Sequence, residues 1–197
     1  MRGGLLRLTW RAVAWDAGIA AAMIVLGLGA LYWRAHRFDS AFREAGAALE
    51  VDPELLRAIA WKESRFNPGA LGKAGEVGLM QVTPAAAAEW AAAEKRPKPS
   101  RHDLLDPRTN VRAGAWYVGR AIRRWSERPD PLPFALAEYN AGLSNADRWA
   151  LNARDSLEFW NRIGFPTTKR YVEDILKRYR GGVAPPPAPR VARSEAK

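Results

Sequence analysis

The run from Ala12 to Trp33, AVAWDAGIAAAMIVLGLGALYW, is apolar except for Asp16 and leaves its backbone little choice. A segment this apolar can enter hydrocarbon, and there only a helix satisfies every N–H and C=O within one continuous stretch. At about 1.5 Å per residue the helix is long enough to cross a hydrocarbon layer about 30 Å thick. Arg2, Arg7 and Arg11 precede it as a basic leader, which would also suit a signal peptide, but no small-x-small cleavage site follows. The stretch therefore reads as an uncleaved membrane anchor. Arg34 and Arg37 on its far side nearly balance the three leading arginines, so the positive-inside rule only leans towards placing the remainder of the chain outside the cytoplasm.

Beyond the anchor the apolar spacing is mostly helical. Four helices are legible. DPELLRAIAWKES starts at Asp52 as N-cap, with Pro53 at the first helical position. NVRAGAWYVGRAIRRW repeats Val111, Ala115, Val118, Ile122 and Trp125 at three- and four-residue steps, giving one buried stripe. LPFALAEYNAG begins beside a proline and stops at Gly142. TTKRYVEDILKRY sets Tyr171, Ile175 and Tyr179 on one face, with Val172 and Leu176 beside them. The Pro- and Lys-rich run EKRPKPSRHDLLDP reads as an exposed loop, and no hairpin turns or internal repeats stand out. The expected fold class is mainly α. Its expected organisation is a leader and anchor over 1–37, one helical domain over 38–180, and a flexible, disordered Pro-rich tail over 181–197.

Composition removes several function classes. There is no cysteine, which excludes disulfides, a thiol nucleophile, thiolate metal sites and an acylated cysteine anchor. The two histidines, His36 and His102, stand far apart, so no metal site and no cofactor is expected. The chain carries 31 Lys and Arg against 21 Asp and Glu, a net +10 that suits a polyanionic partner or an acidic membrane surface. The cations are spread along the chain without zinc-finger spacing or basic-region heptads, so nucleic acid is not an expected partner.

Within AIAWKESRFNP one acid is oddly placed. At 100° per residue, Glu63 falls on the same helical face as Leu56, Ile59 and Ala60. A carboxyl held against apolar side chains loses hydration of its charged form, keeps its proton towards neutrality and can serve as a general acid. Spacing alone equally permits a capping or ion-pairing glutamate.

The residues that follow sharpen this. Glu63-Ser64, then Gly78-Leu79-Met80-Gln81, then AEYNAG over 137–142, then Tyr171 in TTKRYV resemble, in order, the four motifs of lytic transglycosylases. These are lysozyme-like enzymes related to goose-type lysozyme. The resemblance runs from about Ala47 to Tyr179 and includes Asp106, Pro107, Asn110, Gly114 and Tyr117 in the connecting stretch. It implies a lysozyme-like helical domain acting on peptidoglycan glycan strands, at the β-1,4 bond between N-acetylmuramic acid and N-acetylglucosamine. It implies that Glu63 first protonates the leaving oxygen and then, as a carboxylate, deprotonates the muramyl C6 hydroxyl, leaving a 1,6-anhydro sugar.

On the same resemblance Tyr171 orients Glu63, and Gln81 and Asn140 offer amides to the sugar. Met80 and Tyr139 supply apolar walls, Ser64 helps end the helix, and Gly78 and Gly142 allow close approach. The chain also departs from the pattern. Gly72 and Ala74 stand where relatives carry serines, and Thr167 and Lys169 replace an acid and an arginine before the last tyrosine. Glu76, just before the GLMQ motif, is a further residue of the expected substrate site. It reads either as a brace of its loop or as a second acid that could hold a water for hydrolysis. Location follows from substrate: a single-pass protein of the cytoplasmic membrane, with its catalytic domain on the periplasmic or extracellular side. The alternatives are a lysozyme-type hydrolase, a catalytically idle peptidoglycan-binding module of an envelope-spanning machine and, least supported, a basic nucleic-acid binder.

Overall fold

The computed structural model describes residues 4–181, with side chains from Val13 onward except that of Ala35. Of the Pro-rich tail expected over 181–197, all but Gly181 lies outside the described residues. The chain divides between Phe38 and Asp39 into two compact units.

The first unit is one helix, α1 (Gly4–His36), long and apolar enough to cross a membrane. Its apolar side chains point outward all round: Trp15, Ile19, Leu26, Leu31 and Trp33 are all exposed.

The second unit contains α2 (Asp39–Leu49), α3 (Pro53–Ser64), α4 (Pro84–Ala93), α5 (Pro107–Arg124), α6 (Leu132–Ala141), α7 (Leu143–Ala150), α8 (Ser156–Arg162) and α9 (Pro166–Tyr179). Three of these begin with the same device. The side chains of Asp52, Thr83 and Asp106 accept hydrogen bonds from the backbone N–H of Glu54, Ala86 and Thr109, and each is followed by proline at the first helical position. The proline fixes a helical φ where no N–H is needed, while the cap satisfies a donor that the helix leaves free.

Short α6 lies at the centre, with Phe134, Ala135, Leu136 and Ala137 all buried, and it packs on α5, α7, α8 and α9. α3 packs on α2 and α9. Between α3 and α9, Lys62 pairs with Asp174, and the guanidinium groups of Arg65 and Arg178 lie 3.4 and 3.6 Å from the centre of the Trp61 ring. These contacts fix α9 against the last turn of α3.

The structure adds four helices in this unit to those legible in the sequence. α4 is almost pure alanine and carries no apolar period, whereas α2 and α7 bury a face of small residues with one aromatic each, Phe42 and Trp149. The run expected as an exposed loop before Pro107 holds a 3-10 turn over Asp103–Leu105, with Leu104 completely buried. α5 starts at Pro107, a full turn earlier than its apolar stripe suggests.

Candidate active site

Glu63 sits in the last turn of α3, where the chain then turns sharply. Arg65 and Phe66 both adopt left-handed φ, at 55° and 60°, and buried Phe66 anchors the turn in the core. The Ser64 hydroxyl donates to the carbonyls of Ala60 and Leu79, at 3.1 and 2.8 Å. One serine thus closes α3 and ties it to the GLMQ segment.

The long loop between α3 and α4 is held by backbone bridges at Leu71–Val77 and Val77–Val82. Its hub is Asn110, a fully buried side chain from α5. The Asn110 amide accepts from Met80 N–H and donates to the carbonyls of Val77 and Leu104, all at 2.8 Å. Gly78 has φ +79°, and a Cβ there would stand 2.3 Å from Asn110 Nδ2, so the loop can close on this amide only with glycine at that position.

Around Glu63 the loop and two helices converge. The Tyr171 hydroxyl, on α9 and 4% exposed, donates to Glu63 Oε1 at 2.6 Å. Burial raises the Glu63 carboxyl from its ordinary 4.5 to about 7. The Tyr171 hydrogen bond works against that rise, nearby Glu76 adds to it and Lys62 subtracts from it. The phenols of Tyr171 and Tyr139 are pushed well above 10, chiefly by burial and then by the Glu63 charge they face. At neutral pH the site therefore holds one carboxyl poised between its two protonation states, flanked by phenols that stay protonated.

The other expected residues fall around this pair. Tyr139, on α6, donates to the Met80 carbonyl at 2.8 Å. The Met80 side chain is fully buried and packs against Gly114, where a Cβ would stand 2.6 Å from its sulfur. Gln81 has φ +47°, and its NH2 donates to the carbonyls of Gly78 and Ala70 at 3.0 and 3.3 Å, which leaves its Oε1 as the accepting end. Glu76 bends back so that its Oε2 accepts from Ala74 N–H at 2.9 Å. Asn140 is exposed, and its Oδ1 accepts from Thr168 at 2.8 Å. Gly142, at φ +83°, makes the sharp turn from α6 into α7. A cavity of about 210 Å³ adjoins the site, sharing Gln81 and Tyr139 and lined also by Thr83, Tyr117 and Leu143.

Two contributors were not singled out from the sequence. Thr168 lies one turn before Tyr171 on α9, and that three-residue spacing was the available signal. Gly72 was noted only for the serine it lacks. No group of His, Asp and Glu able to hold a metal occurs among the described residues.

A buried carboxyl hydrogen-bonded to a buried tyrosine, on a helical scaffold closed by a glycine-hinged loop, defines a lysozyme-like class of protein. Residues 40–161 match the family described as Transglycosylase SLT domain, and the chain belongs to that family. It is 36% identical over 111 residues to the X polypeptide of Escherichia coli, covering 54% of this chain and 62% of that one. It is 32% identical to membrane-bound lytic murein transglycosylase C of Salmonella typhi, covering 66% of this chain and 37% of that one. The 70 kDa soluble lytic transglycosylase of Escherichia coli superposes with a TM-score of 0.65 at 29% identity, covering 72% of this chain and 24% of that one. The chain thus spans about six tenths of the X polypeptide's length and a smaller share of the longer relatives.

Proposed function

We propose that the protein is a peptidoglycan lytic transglycosylase that cleaves the β-1,4 bond between N-acetylmuramic acid and N-acetylglucosamine. The observation that carries this is the Glu63–Tyr171 pair: a largely buried carboxyl raised to about 7, with one oxygen held at 2.6 Å by a buried phenol. A general acid works best with its proton affinity near the working pH.

In the proposed reaction the Glu63 carboxylic acid protonates the glycosidic oxygen as the bond to muramyl C1 breaks. The resulting carboxylate then takes the proton of the muramyl C6 hydroxyl, whose oxygen bonds to C1. The products are a 1,6-anhydro-muramyl end and a free N-acetylglucosamine hydroxyl, and Glu63 ends protonated as it began. Tyr171 fixes which carboxyl oxygen faces the bond, while Gln81 Oε1 and the Asn140 amide are placed to meet hydroxyl and N-acetyl groups. No metal or cofactor takes part. With α1 as a single-pass anchor, the second unit works on the periplasmic or extracellular face of the cytoplasmic membrane, where wall polymer lies.

A second reading is favoured by the like charge that Glu76 adds at Glu63: a water held between two acids would give hydrolysis, as in many glycosidases. Digestion of purified sacculi, with products analysed by mass spectrometry, separates the two. Anhydro-muramyl ends are expected from the wild type and none from Glu63→Gln. Reducing muramyl ends would replace the transglycosylase reading by the hydrolase. Equal digestion by wild type and variant would remove Glu63 from the chemistry.

A further inference from the structure

On α3, Trp61 stands two residues before Glu63, and at about 100° per residue the two side chains leave nearly opposite sides of the helix. Trp61 is half-buried, and the guanidinium carbons of Arg65 and Arg178 lie 3.4 and 3.6 Å from the centre of its ring. Two planar cations that close to one centre cannot share a face, so the indole is held between them. Each guanidinium lays its flat face on the ring and keeps its N–H edge for a partner. Lys177 joins them from α9, and the group lines an open cavity of about 530 Å³ that also takes in Asp174 and Gly181. The acids nearby are already engaged, Asp174 by Lys62 and Asp39 by Arg57. Among the described residues neither Lys177 nor Arg178 pairs with an acid. Arg178 is held below its ordinary pKa, first by burial and then by the charges of Arg65 and Arg57. An anion seated against it would relieve that repulsion.

The chain itself supplies no suitable anion. A second copy carries the same net +10, and residues 182–197 hold Arg190, Arg193 and Lys197 against Glu195 alone. Position favours a lipid surface. Arg57, one turn before Trp61 on α3, pairs with Asp39, the first residue of this unit, and only Arg37 and Phe38 separate Asp39 from the end of α1. An indole ringed by arginines and a lysine is also the side-chain set that settles at the headgroup level of a bilayer.

We propose that Lys177 and Arg178, set with Arg65 around Trp61, form a docking surface for the phosphate headgroups of anionic phospholipid and seat the second unit on the membrane that holds α1. This rests on the reading of α1 as an anchor. A unit so seated works on glycan next to the bilayer rather than on strands deeper in the wall.

The test places the full chain in nanodiscs of neutral phosphatidylcholine, or of phosphatidylcholine mixed equally with phosphatidylglycerol, and follows backbone hydrogen exchange by mass spectrometry. Exchange over 174–181, at the fraying end of α9, is expected to be slower in the anionic discs. Arg178→Gln combined with Lys177→Gln should abolish that difference, since each cation near an anionic surface contributes about fivefold. Exchange in α5 and α6 should stay as in the wild type, which shows the fold intact. Lys98→Gln combined with Arg101→Gln removes the same charge from exposed positions in the loop before α5 and should leave the difference in place. Equal exchange of the wild type in the two kinds of disc overturns the proposal. So does loss of the difference in the Lys98 and Arg101 variant, which would reduce the effect to overall charge. So does protection of 174–181 by soluble muropeptides in neutral discs with none from phosphatidylglycerol, which would give the surface to wall carboxylates. If the chain does not enter the discs, the anchor reading fails, and flotation with phosphatidylglycerol vesicles, wild type against the Arg178 and Lys177 variant, still decides the surface.

Discussion

Replacing Glu63 with glutamine should stabilise the folded protein, and the gain should depend on pH. The carboxyl stands at about 7 in the folded chain against an ordinary 4.5, so the unfolded chain releases this proton more readily than the folded one. Below about 4.5 both states are protonated, and glutamine resembles the native group. As pH rises from 4.5 to 7 the unfolded state ionises first, and the wild type loses stability through that window. Above 7 the folded state carries a poorly hydrated charge and the loss is complete. At about 1.4 kcal/mol per unit the full shift is about 3 kcal/mol. Partial solvent access at Glu63 reduces this to about 1–3 kcal/mol. The glutamine oxygen can still accept from Tyr171, so little else changes. Urea unfolding of full-length wild type and variant in a non-ionic detergent, followed by tryptophan fluorescence between pH 4 and pH 9, reads the difference directly. The two should agree near pH 4 and diverge in favour of the variant by pH 8. A difference that is flat across that range would refute the idea that burial holds the proton on Glu63.

Tyr171→Phe removes a hydrogen bond that favours the carboxylate, so the basic limb of activity should move to higher pH; a pH–rate profile shows the sign. Asn110→Ala strands Met80 N–H and the carbonyls of Val77 and Leu104 in the core, and at about 1–3 kcal/mol per unsatisfied group it should destabilise the fold by more than 3 kcal/mol in denaturant unfolding. Gly114→Val drives methyl groups into Met80, and a loss of about 1–3 kcal/mol is expected in the same measurement. Thr168→Val frees the Asn140 amide to rotate, which should raise KM for glycan more than it lowers kcat.

The helices with a long apolar period were legible because burial on one face imposes that period. Val111, Ala115, Val118 and Trp125 of the stripe along α5, and Tyr171, Val172, Ile175 and Leu176 of α9, are buried as the spacing requires, while Ile122 and Tyr179 are only half-buried. α4 was not legible because PAAAAEWAAA has no polar face to mark its orientation, and only the Thr83-Pro84 cap announces it. Leu104 was missed for another reason: in a Pro- and Lys-rich run, one buried leucine in a single 3-10 turn is too short a signal for any period. At the site, motif order brought Glu63 and Tyr171 to attention, but sequence spacing carries no information on which way an amide faces. Gln81 and Asn110 illustrate this. Both are amides in recognisable stretches, yet one is half-exposed with its donors turned inward, and the other is a completely buried hub.

That contrast bears on why the loop is built as it is. On the proposed mechanism one carboxyl performs both proton transfers, so its position must satisfy two atoms in succession. Catalytic groups of this kind lose much of their effect when displaced by about 1 Å. Glu63 lies one residue from the end of α3, where helices fray, and its precision must be supplied from outside. Ser64 bonds the helix end to Leu79, Asn110 bonds the next residue of the same segment, Met80, to α5, and Tyr139 bonds the Met80 carbonyl to α6. Three helices are thereby locked through two adjacent residues of the GLMQ segment. The same links hold Gln81 in its left-handed φ and Gly78 against Asn110, a strained path that persists only where its surroundings over-determine it. The loop is thus held by hydrogen bonds to backbone groups as well as by the buried side chains of Val77, Leu79, Met80 and Val82, and substitutions that spare these and Asn110, Ser64 and Tyr139 can alter its solvent face without moving the acid.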